Sequence, residues 1–213
     1  MLTGAAAKQV GDADLLESVR QKAEESRRAQ EAFFAAQGPK LVAMARALAK
    51  VFRNEGRLLT MGNGGSSCDA AHIAVEFNHP ITVGRPSLPA IHLGADLPML
   101  TAVGNDVGFD AIFRRQLISH GRKGDALIGL STSGNSENLL SAFEEAKRRG
   151  LTTLAFSGGD GGKMKSASTI DHCLVVETGS VHRVQESHLA AYHILWDLVH
   201  TVLHDSDSSG DPS

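Results

Sequence analysis

The sequence predicts an α/β protein: a doubly wound, mostly parallel sheet of five strands, preceded by N-terminal helices. Three observations support this fold class. Short apolar runs alternate with longer helical segments, the runs are apolar throughout rather than alternating in polarity, and three of them are followed by loops rich in glycine and serine. Continuous apolar strands are typical of a parallel sheet covered by helices on both faces. Such sheets bind ligands beyond the carboxyl ends of their strands.

The first part of the chain is polar and helical. Residues 1–11 are expected to form a disordered leader, and 12–55 to form helices that serve oligomerisation. A polar helix over 12–36 is expected to end before Pro39, because proline removes a helical hydrogen bond, and a second, amphipathic helix covers 41–52. Two alternatives stay open for these helices: they pack on the domain's own sheet, or they form a bundle between subunits.

The sheet domain is predicted to span 56–205. It opens on a strand, a glycine loop and a helix that Ser66 or Ser67 can cap. Strands are predicted at 57–60, 90–93, 125–130, 152–156 and 172–176. Further helices are predicted at 97–104, at 109–120, at 137–149, directly after 157–162 and at 184–204. Residues 206–213 are expected to be a disordered polar tail.

Composition and charge argue against several classes of protein. The 213 residues carry a net charge of −3, from 21 basic and 24 acidic side chains, and no basic run stands out, so no nucleic-acid partner is expected. No apolar run reaches the ~18 residues of a membrane span, and no signal peptide is indicated. Cys68 and Cys173 fit neither a metal motif nor a disulfide framework, so a cytoplasmic location is expected.

Three loops follow predicted strands and are expected to meet in one crevice: GNGGSS at 62–67, STSGNS at 131–136 and SGGDGG at 157–162. The first loop permits a tight turn, and the helix behind it favours an anion. It is not a dinucleotide fingerprint, because Ser67 stands where the third glycine is required. It also lacks the Gly-Lys-Ser/Thr sequence of a P-loop.

The second loop has the groups that a phosphate needs. It places four hydroxyls between a strand and a helix N-terminus, on Ser131, Thr132, Ser133 and Ser136. Hydroxyl and amide donors without a lysine suit a compact phosphate, held by hydrogen bonds and the helix dipole. The alternative is a helix cap with ordinary turn serines, for which fewer hydroxyls would suffice.

Two helices carry side chains that move protons or bind metals. His72 and Glu76 are four residues apart, which puts them on one face of the helix behind the glycine loop. Gln185 and His193 lie on the last helix, on neighbouring faces, while His188 points away from His193. The ordinary alternative for a helical histidine is a solvated or core residue. The combination of the four residue types favours an acid/base or metal site.

Five motifs in one order resemble a known family. They are GNGGSSCDAAHIAVE, TAVGND, LIGLSTSGNSENLLSAFEEAKRRG, GGDGGKM and RVQESHLAAYHIL, spread over 41–204. Together they resemble the sugar isomerase (SIS) domain family and, within it, the phosphoheptose isomerases. The resemblance implies a flavodoxin-like SIS fold and an aldose–ketose isomerase. Its members convert sedoheptulose 7-phosphate to D-glycero-D-manno-heptose 7-phosphate, the first step of bacterial ADP- or GDP-heptose biosynthesis.

The resemblance also implies roles for individual residues. The phosphate would bind to Ser131, Thr132, Ser133 and Ser136. The sugar would be held by Asn63, Gly64, Gly65, Ser66, Asn105, Asp106 and Gln185. Proton transfer would fall to Glu76 and His193. One zinc ion (Zn2+) per subunit would be bound by His72, Glu76, Gln185 and His193. The resemblance further implies a homotetramer whose N-terminal helices meet at its centre. His182 departs from the family pattern, which often has an acidic residue there.

The chemistry of the implied reaction fits these residues. Moving a carbonyl between adjacent carbons requires a base that removes the α proton and an acid that serves the oxygens, through an enediol. We expect Glu76 to be the carbon base and His193 the opposing acid/base. Two alternatives remain: a non-catalytic SIS adaptor that binds the replication initiator, and a SIS isomerase of another sugar phosphate. The adaptor branch lacks the glutamate and last-helix histidine that this chain has.

Overall fold

The computed structural model describes residues 10–208, with side chains to His204. Residues 1–9 of the predicted leader and 209–213 of the predicted tail lie outside this described part. The strands are β1 Leu58–Gly62, β2 Ala90–His92, β3 Ala126–Ser131, β4 Thr152–Gly158 and β5 His172–Val176. The helices are α1 Asp12–Arg53, α2 Gly65–Asn78, α3 Leu97–Asp106, α4 Ile112–His120, α5 Glu137–Arg149, α6 Gly162–Ser166 and α7 Val181–Ser208, with a 3-10 turn at Phe109–Ala111.

The five strands form one parallel sheet in the order β2-β1-β3-β4-β5, which confirms the predicted fold class. Leu58 of β1 lies in register with Ala90 of β2 on one side and with Ala126 of β3 on the other. The chain therefore reverses its direction of winding between β1 and β3. That reversal opens a crevice at the carboxyl ends of these two strands, where ligands bind in doubly wound sheets.

Helices cover both faces of the sheet. On one face, Leu58 and Phe156 pack in a core with α1, α2 and α7. On the other face, Leu59 and Ala155 pack with α3, α4 and α5. Successive strand residues thus enter opposite cores, which explains why the strands are apolar throughout. Among the described helices, none has the length and apolar character needed to cross a bilayer.

The prediction that Pro39 separates two helices is wrong, because α1 is one helix of 42 residues with Pro39 inside it. An internal proline costs ~3 kcal/mol or more in a helix. Here Phe33, Leu41 and Met44 lie on both sides of the proline and are all buried on one face. This face packs on α7 and β5. Burial of that continuous apolar face offsets the lost hydrogen bond, while Pro39 itself points to solvent.

Replacing Gly38 by alanine is expected to stabilise the protein by about 0.5–1 kcal/mol, because Gly38 lies inside α1 and no atom within 4 Å would meet an added methyl group. Urea unfolding at neutral pH measures the change. Gly150→Ala is the matched control: Gly150 caps α5 with φ of +79°, so alanine there is expected to destabilise. A loss of stability in Gly38→Ala would contradict a continuous helix through this position.

The two halves of α1 have different environments. Residues 33–52 supply the buried face, so this half packs on the domain's own sheet. No side chain between 12 and 32 is buried, and Leu15, Leu16 and Val19 are 54%, 58% and 64% exposed. Ion pairs such as Arg27 with Glu24 stabilise this half without burial.

The last helix is longer at both ends than the sequence predicts. It begins at Val181 rather than at 184, and its backbone stays helical to Ser208. Residues 206–208 of the predicted disordered tail are therefore helical, which corrects that prediction, and 209–213 lie outside the described part.

Candidate active site

The three predicted loops meet at the carboxyl edge of the sheet. Asn63 in the first loop and Asn138 in the first turn of α5 exchange two amide hydrogen bonds, of 2.9 and 2.8 Å. The third loop joins the second through the backbone amide of Lys163, which donates to Asn135 Oδ1 at 3.0 Å. These contacts hold the three loops together as one surface.

Asn138 was missed by the sequence analysis. Its side chain is 3% exposed and closes the amide pair with Asn63. Asn138 is the last residue of the run SGNSEN and faces the core. A buried polar side chain requires a hydrogen-bond partner, and this requirement was the available signal in the sequence. The partner itself depends on how the loops meet. The predicted contact between Asn63 and the sugar stays a prediction, since part of its amide is already bonded to Asn138.

The helix behind the glycine loop begins earlier than predicted. It begins at Gly65, its N-cap is Gly64 with φ of +54°, and no side chain caps it. The prediction that Ser66 or Ser67 caps this helix is therefore wrong. Ser66 lies inside the first turn and is 3% exposed. Glycine is tolerated at the N-cap, and the first amides of α2 are left without a side-chain acceptor.

Gln185 of α7 lies directly over the glycine loop. A methyl group added at Gly65 would collide with the Nε2 atom of Gln185, so the end of the Gln185 side chain would have to move away from the loop. Gln185 is half-buried, and its amide forms no hydrogen bond with other described residues. This leaves the amide available to a ligand at the crevice.

The hydroxyls of the second loop form a cluster around Ser131. Ser131 Oγ lies 3.0 Å from Ser136 Oγ and 3.5 Å from Ser133 Oγ, and it accepts the backbone N–H of Gly134 at 3.1 Å. Thr132 is half-buried beside them. The loop lies directly before α5, whose N-terminal amides and dipole favour an anion. The arrangement provides the donors that a phosphate requires.

The predicted acid/base residues of α2 and α7 lie together. His72 Nε2 is 3.0 Å from Glu76 Oε1, and the rings of His72 and His193 are 5.0 Å apart between centroids. The Trp196 indole N–H donates to the backbone carbonyl of Glu76 at 2.8 Å. His72, Glu76 and His193 are all half-buried, so each contacts its neighbours and is still partly open to solvent.

Tyr192 belongs to this cluster and was not predicted. Its hydroxyl lies 2.8 Å from His72 Nδ1 and its side chain is 2% exposed. Burial raises the pKa of Tyr192 above its ordinary value, and the charges of Asp69 and Glu76 raise it further. Nothing in the sequence singled out Tyr192, since an aromatic residue beside His193 reads as an ordinary core residue.

Asn105 and Asp106 stand apart from the other candidate residues. They lie at the C-terminal end of α3, where both are exposed and Asn105 donates to Asp106 at 2.7 Å. Within the described residues, no hydrogen bond or ion pair connects them to the three loops or to the histidine cluster. Their predicted role in holding the sugar stays a prediction.

The cluster has the chemistry of a zinc site. One ligand atom from each of His72, Glu76 and His193 lies within 4.8 Å of the others. Two imidazoles and a carboxylate are ligands that Zn2+ prefers, with ligand atoms about 3.5 Å apart in an ideal tetrahedron. Small rotations of the half-buried side chains would bring the ligand atoms from within 4.8 Å of one another to the spacing of about 3.5 Å that zinc requires. Three protein ligands leave a fourth position, as in catalytic zinc sites.

His188 points away from this cluster, as predicted, and holds α7 to the third loop. It is fully buried, its Nε2–H donates to the Ser157 carbonyl at 3.1 Å, and its Nδ1 has no partner. Burial lowers the pKa of His188 from 6.5 to about 4. The folded protein therefore keeps the neutral ring where the unfolded chain would bind a proton.

The free energy of unfolding is consequently expected to fall as the pH is lowered from about 6.5 to 4. In this pH range the His188 side chain binds a proton in the unfolded chain but stays neutral in the folded protein. At ~1.36 kcal/mol per pKa unit, the His188 contribution is about 3 kcal/mol. Urea unfolding across this pH range measures it. His188→Gln keeps a donor but does not titrate, so its stability should depend less on pH. An unchanged slope would contradict the prediction.

Comparison with known proteins defines the class. A family model described as the SIS domain matches residues 23–158, so the chain is a SIS-domain protein. A phosphoheptose isomerase of Pelodictyon phaeoclathratiforme is 47% identical over 165 residues, which are 76% of this chain and 78% of the relative. The chain belongs to the phosphoheptose isomerase family.

Solved structures agree with this assignment. The phosphoheptose isomerase of Neisseria gonorrhoeae superposes with a TM-score of 0.82 at 36% identity, covering 88% of this chain and 99% of that one. The phosphoheptose isomerase of Francisella tularensis gives a TM-score of 0.83 at 34% identity, covering 87% and 98%. The resemblance inferred from the sequence motifs is confirmed.

Proposed function

We propose that the protein converts sedoheptulose 7-phosphate to D-glycero-D-manno-heptose 7-phosphate through an enediol, as the first step of bacterial ADP- or GDP-heptose biosynthesis. One observation supports this most strongly. The hydroxyl loop leads into α5, which bonds to the glycine loop through the Asn63–Asn138 pair, and α2, which begins in that glycine loop, carries the histidine and glutamate of the histidine–glutamate–histidine cluster. The site can thus bind the phosphate of a substrate and remove a proton from a carbon of the same molecule.

The substrate phosphate is assigned to the second loop. Ser131, Thr132, Ser133 and Ser136 supply hydroxyl donors, and the N-terminus of α5 supplies amides. Binding one end of the substrate there fixes the distance at which its carbonyl carbons stand from α2 and α7. The sugar hydroxyls are assigned to Asn63, Gly64, Gly65, Ser66, Asn105, Asp106 and Gln185.

The proton transfer is assigned to the side chains of α2 and α7. Glu76 removes the proton from the carbon next to the carbonyl and returns it to the neighbouring carbon. His193 faces it from the other helix and donates or accepts the proton at the substrate oxygens. His72 bonds to Glu76 and so orients the carboxylate towards the substrate. Because α2 and α7 pack in one core, they hold Glu76 and His193 close together beside the substrate.

Zinc is assigned to the same cluster. His72, Glu76 and His193 would hold it, with Gln185 as a fourth, weaker ligand. A bound Zn2+ would stabilise negative charge on the substrate oxygens as a Lewis acid. The assignment rests on the donor types and on ligand atoms within 4.8 Å of one another.

The proposed setting is a cytoplasmic homotetramer that acts on a small sugar phosphate, without nucleic-acid or membrane partners. The support for assembly is the exposed half of α1. Leu15 and Leu16 are adjacent, and Val19 lies about one turn further along the same helix, which has no buried side chain from 12 to 32. An apolar stripe on an exposed helix favours packing against another copy of the helix.

The decisive test is turnover in D2O with sedoheptulose 7-phosphate, followed by NMR. We expect the aldose phosphate to appear with deuterium at C2, because the enediol exchanges its proton with solvent through Glu76. Fructose 6-phosphate and arabinose 5-phosphate are run in parallel, since their shorter chains place the carbonyl differently relative to the phosphate loop. Faster turnover of either would favour an isomerase of another sugar phosphate. No turnover, together with binding of the replication initiator, would favour the adaptor.

A further inference from the structure

The histidine of α2 is held by hydrogen bonds on both ring nitrogens. His72 Nε2 lies 3.0 Å from Glu76 Oε1, and His72 Nδ1 lies 2.8 Å from the hydroxyl of Tyr192. The Tyr192 and His72 rings meet edge to face, with centroids 5.4 Å apart. Tyr192 is 2% exposed, whereas His72 and Glu76 are half-buried. The tyrosine therefore forms the buried side of the cluster.

The two bonds determine where the histidine carries its proton. An ionised carboxylate only accepts hydrogen bonds, so Nε2 carries the proton that Glu76 accepts. Nδ1 of the neutral ring is then an acceptor, and it accepts the hydroxyl proton of Tyr192, a phenol that stays protonated near neutral pH. The ring keeps Nε2 turned towards Glu76 and His193 in this arrangement.

A metal at Nε2 requires the other tautomer. The ring must then carry its one proton on Nδ1, which needs an acceptor because it lies against buried groups. A hydroxyl is both a donor and an acceptor, so Tyr192 can donate to Nδ1 in one state and accept from it in the other. A phenylalanine of the same shape could do neither.

We propose that Tyr192 is a positioning residue: its buried hydroxyl holds the His72 ring with Nε2 facing Glu76 and His193 in both tautomers, and so sets the affinity of the site for zinc. The inference deepens the proposed function, because it rests on the zinc site assigned there. Partners that orient metal-binding histidines typically contribute about 10–100-fold to metal affinity.

The test compares metal binding in two variants that each lose one buried hydroxyl of α7. Tyr192→Phe removes the partner of His72. Ser187→Ala is the matched control, since Ser187 is also fully buried but donates to the backbone carbonyl of Arg183 at 2.8 Å. The Kd for Zn2+ is measured by competition with a chromophoric chelator, and Co2+ absorption spectra report the ligand geometry. We expect Tyr192→Phe to raise the Kd about 10–100-fold and to change the Co2+ spectrum, and Ser187→Ala to do neither.

A double-mutant cycle with His72→Ala separates positioning from general packing. If Tyr192 acts through His72, then Tyr192→Phe should change the Kd little in the His72→Ala background. Equal losses in both backgrounds, wild-type affinity in Tyr192→Phe, or a wild-type protein that binds neither metal would each overturn the inference. The measurements use the metal alone. A protein that binds zinc in this way but does not turn over sedoheptulose 7-phosphate would contradict the proposed function and support the role of Tyr192.

Discussion

Replacing Glu76 by glutamine is expected to lower kcat for sedoheptulose 7-phosphate by about 10²–10⁴-fold, the usual contribution of a general base. Glutamine keeps the shape of the side chain and its bond to His72, but it cannot take a proton from carbon. KM should change much less, because the proposed phosphate site is the loop around Ser131, away from Glu76. Steady-state kinetics with the purified variant measures both constants.

Two controls make the Glu76 result specific. Glu144→Gln removes an exposed carboxylate of α5, on the opposite face of the sheet from α2, and should leave kcat unchanged. Metal content is measured in the same preparations, because Glu76 is also an assigned zinc ligand. Near-normal turnover in Glu76→Gln would remove the glutamate from the mechanism and leave His193 as the candidate base.

Replacing Gly134 by alanine is expected to disrupt the phosphate loop. Gly134 has φ of +65°, and an added methyl group would collide with the Gly161 carbonyl and with Ser157 Oγ. The positive φ costs an alanine about 1–2 kcal/mol, and the collision adds roughly 1–3 kcal/mol unless the third loop moves away. Both outcomes disturb the hydroxyl cluster, because Gly134 N–H donates to Ser131 Oγ. We expect a large loss of stability and a strong rise in KM.

Gly159→Ala provides the matched comparison for Gly134. Gly159 has φ of +66°, almost the same conformation, but nothing lies within 4 Å of an added methyl group. Its alanine variant therefore measures the cost of the backbone conformation alone. Urea unfolding and titration with inorganic phosphate are done on both variants. Equal effects in the two would show that the third loop does not constrain the second.

The sheet was predictable from the sequence because its signal is repeated in every strand. Each strand is an apolar run bounded by glycine or polar residues, and three of the five carboxyl ends lead into loops rich in glycine and serine. The pairing of His72 with Glu76 was predictable for a similar reason, since it follows from helical periodicity within α2. A feature that depends on one helix or strand, or on a pattern repeated along the chain, can be predicted from the sequence before the fold is known.

The errors occurred where long-range contacts outweigh a local signal. Pro39 is a strong local signal for a helix end, but burial of the apolar face of α1 against α7 and β5 overrides it. The role of Asn138 depends on the first loop reaching α5, and that of Tyr192 on the distance between α2 and α7. Neither distance is encoded in spacing along the chain. Motif resemblance supplied the proposed site residues, but it could not reveal partners such as Asn138 and Tyr192, for which the motifs imply no role.

The unbroken α1 has a consequence for how copies of the chain would be arranged. At 1.5 Å per residue, the exposed segment 12–32 extends about 30 Å as a rigid arm. Because Pro39 does not break the helix, the direction of this arm is determined by how Phe33, Leu41 and Met44 pack against the sheet domain. In the proposed homotetramer, the angle at which neighbouring arms cross would therefore depend on the interior of each subunit. A conservative change in that interior could alter the quaternary geometry without touching any residue on the outer surface.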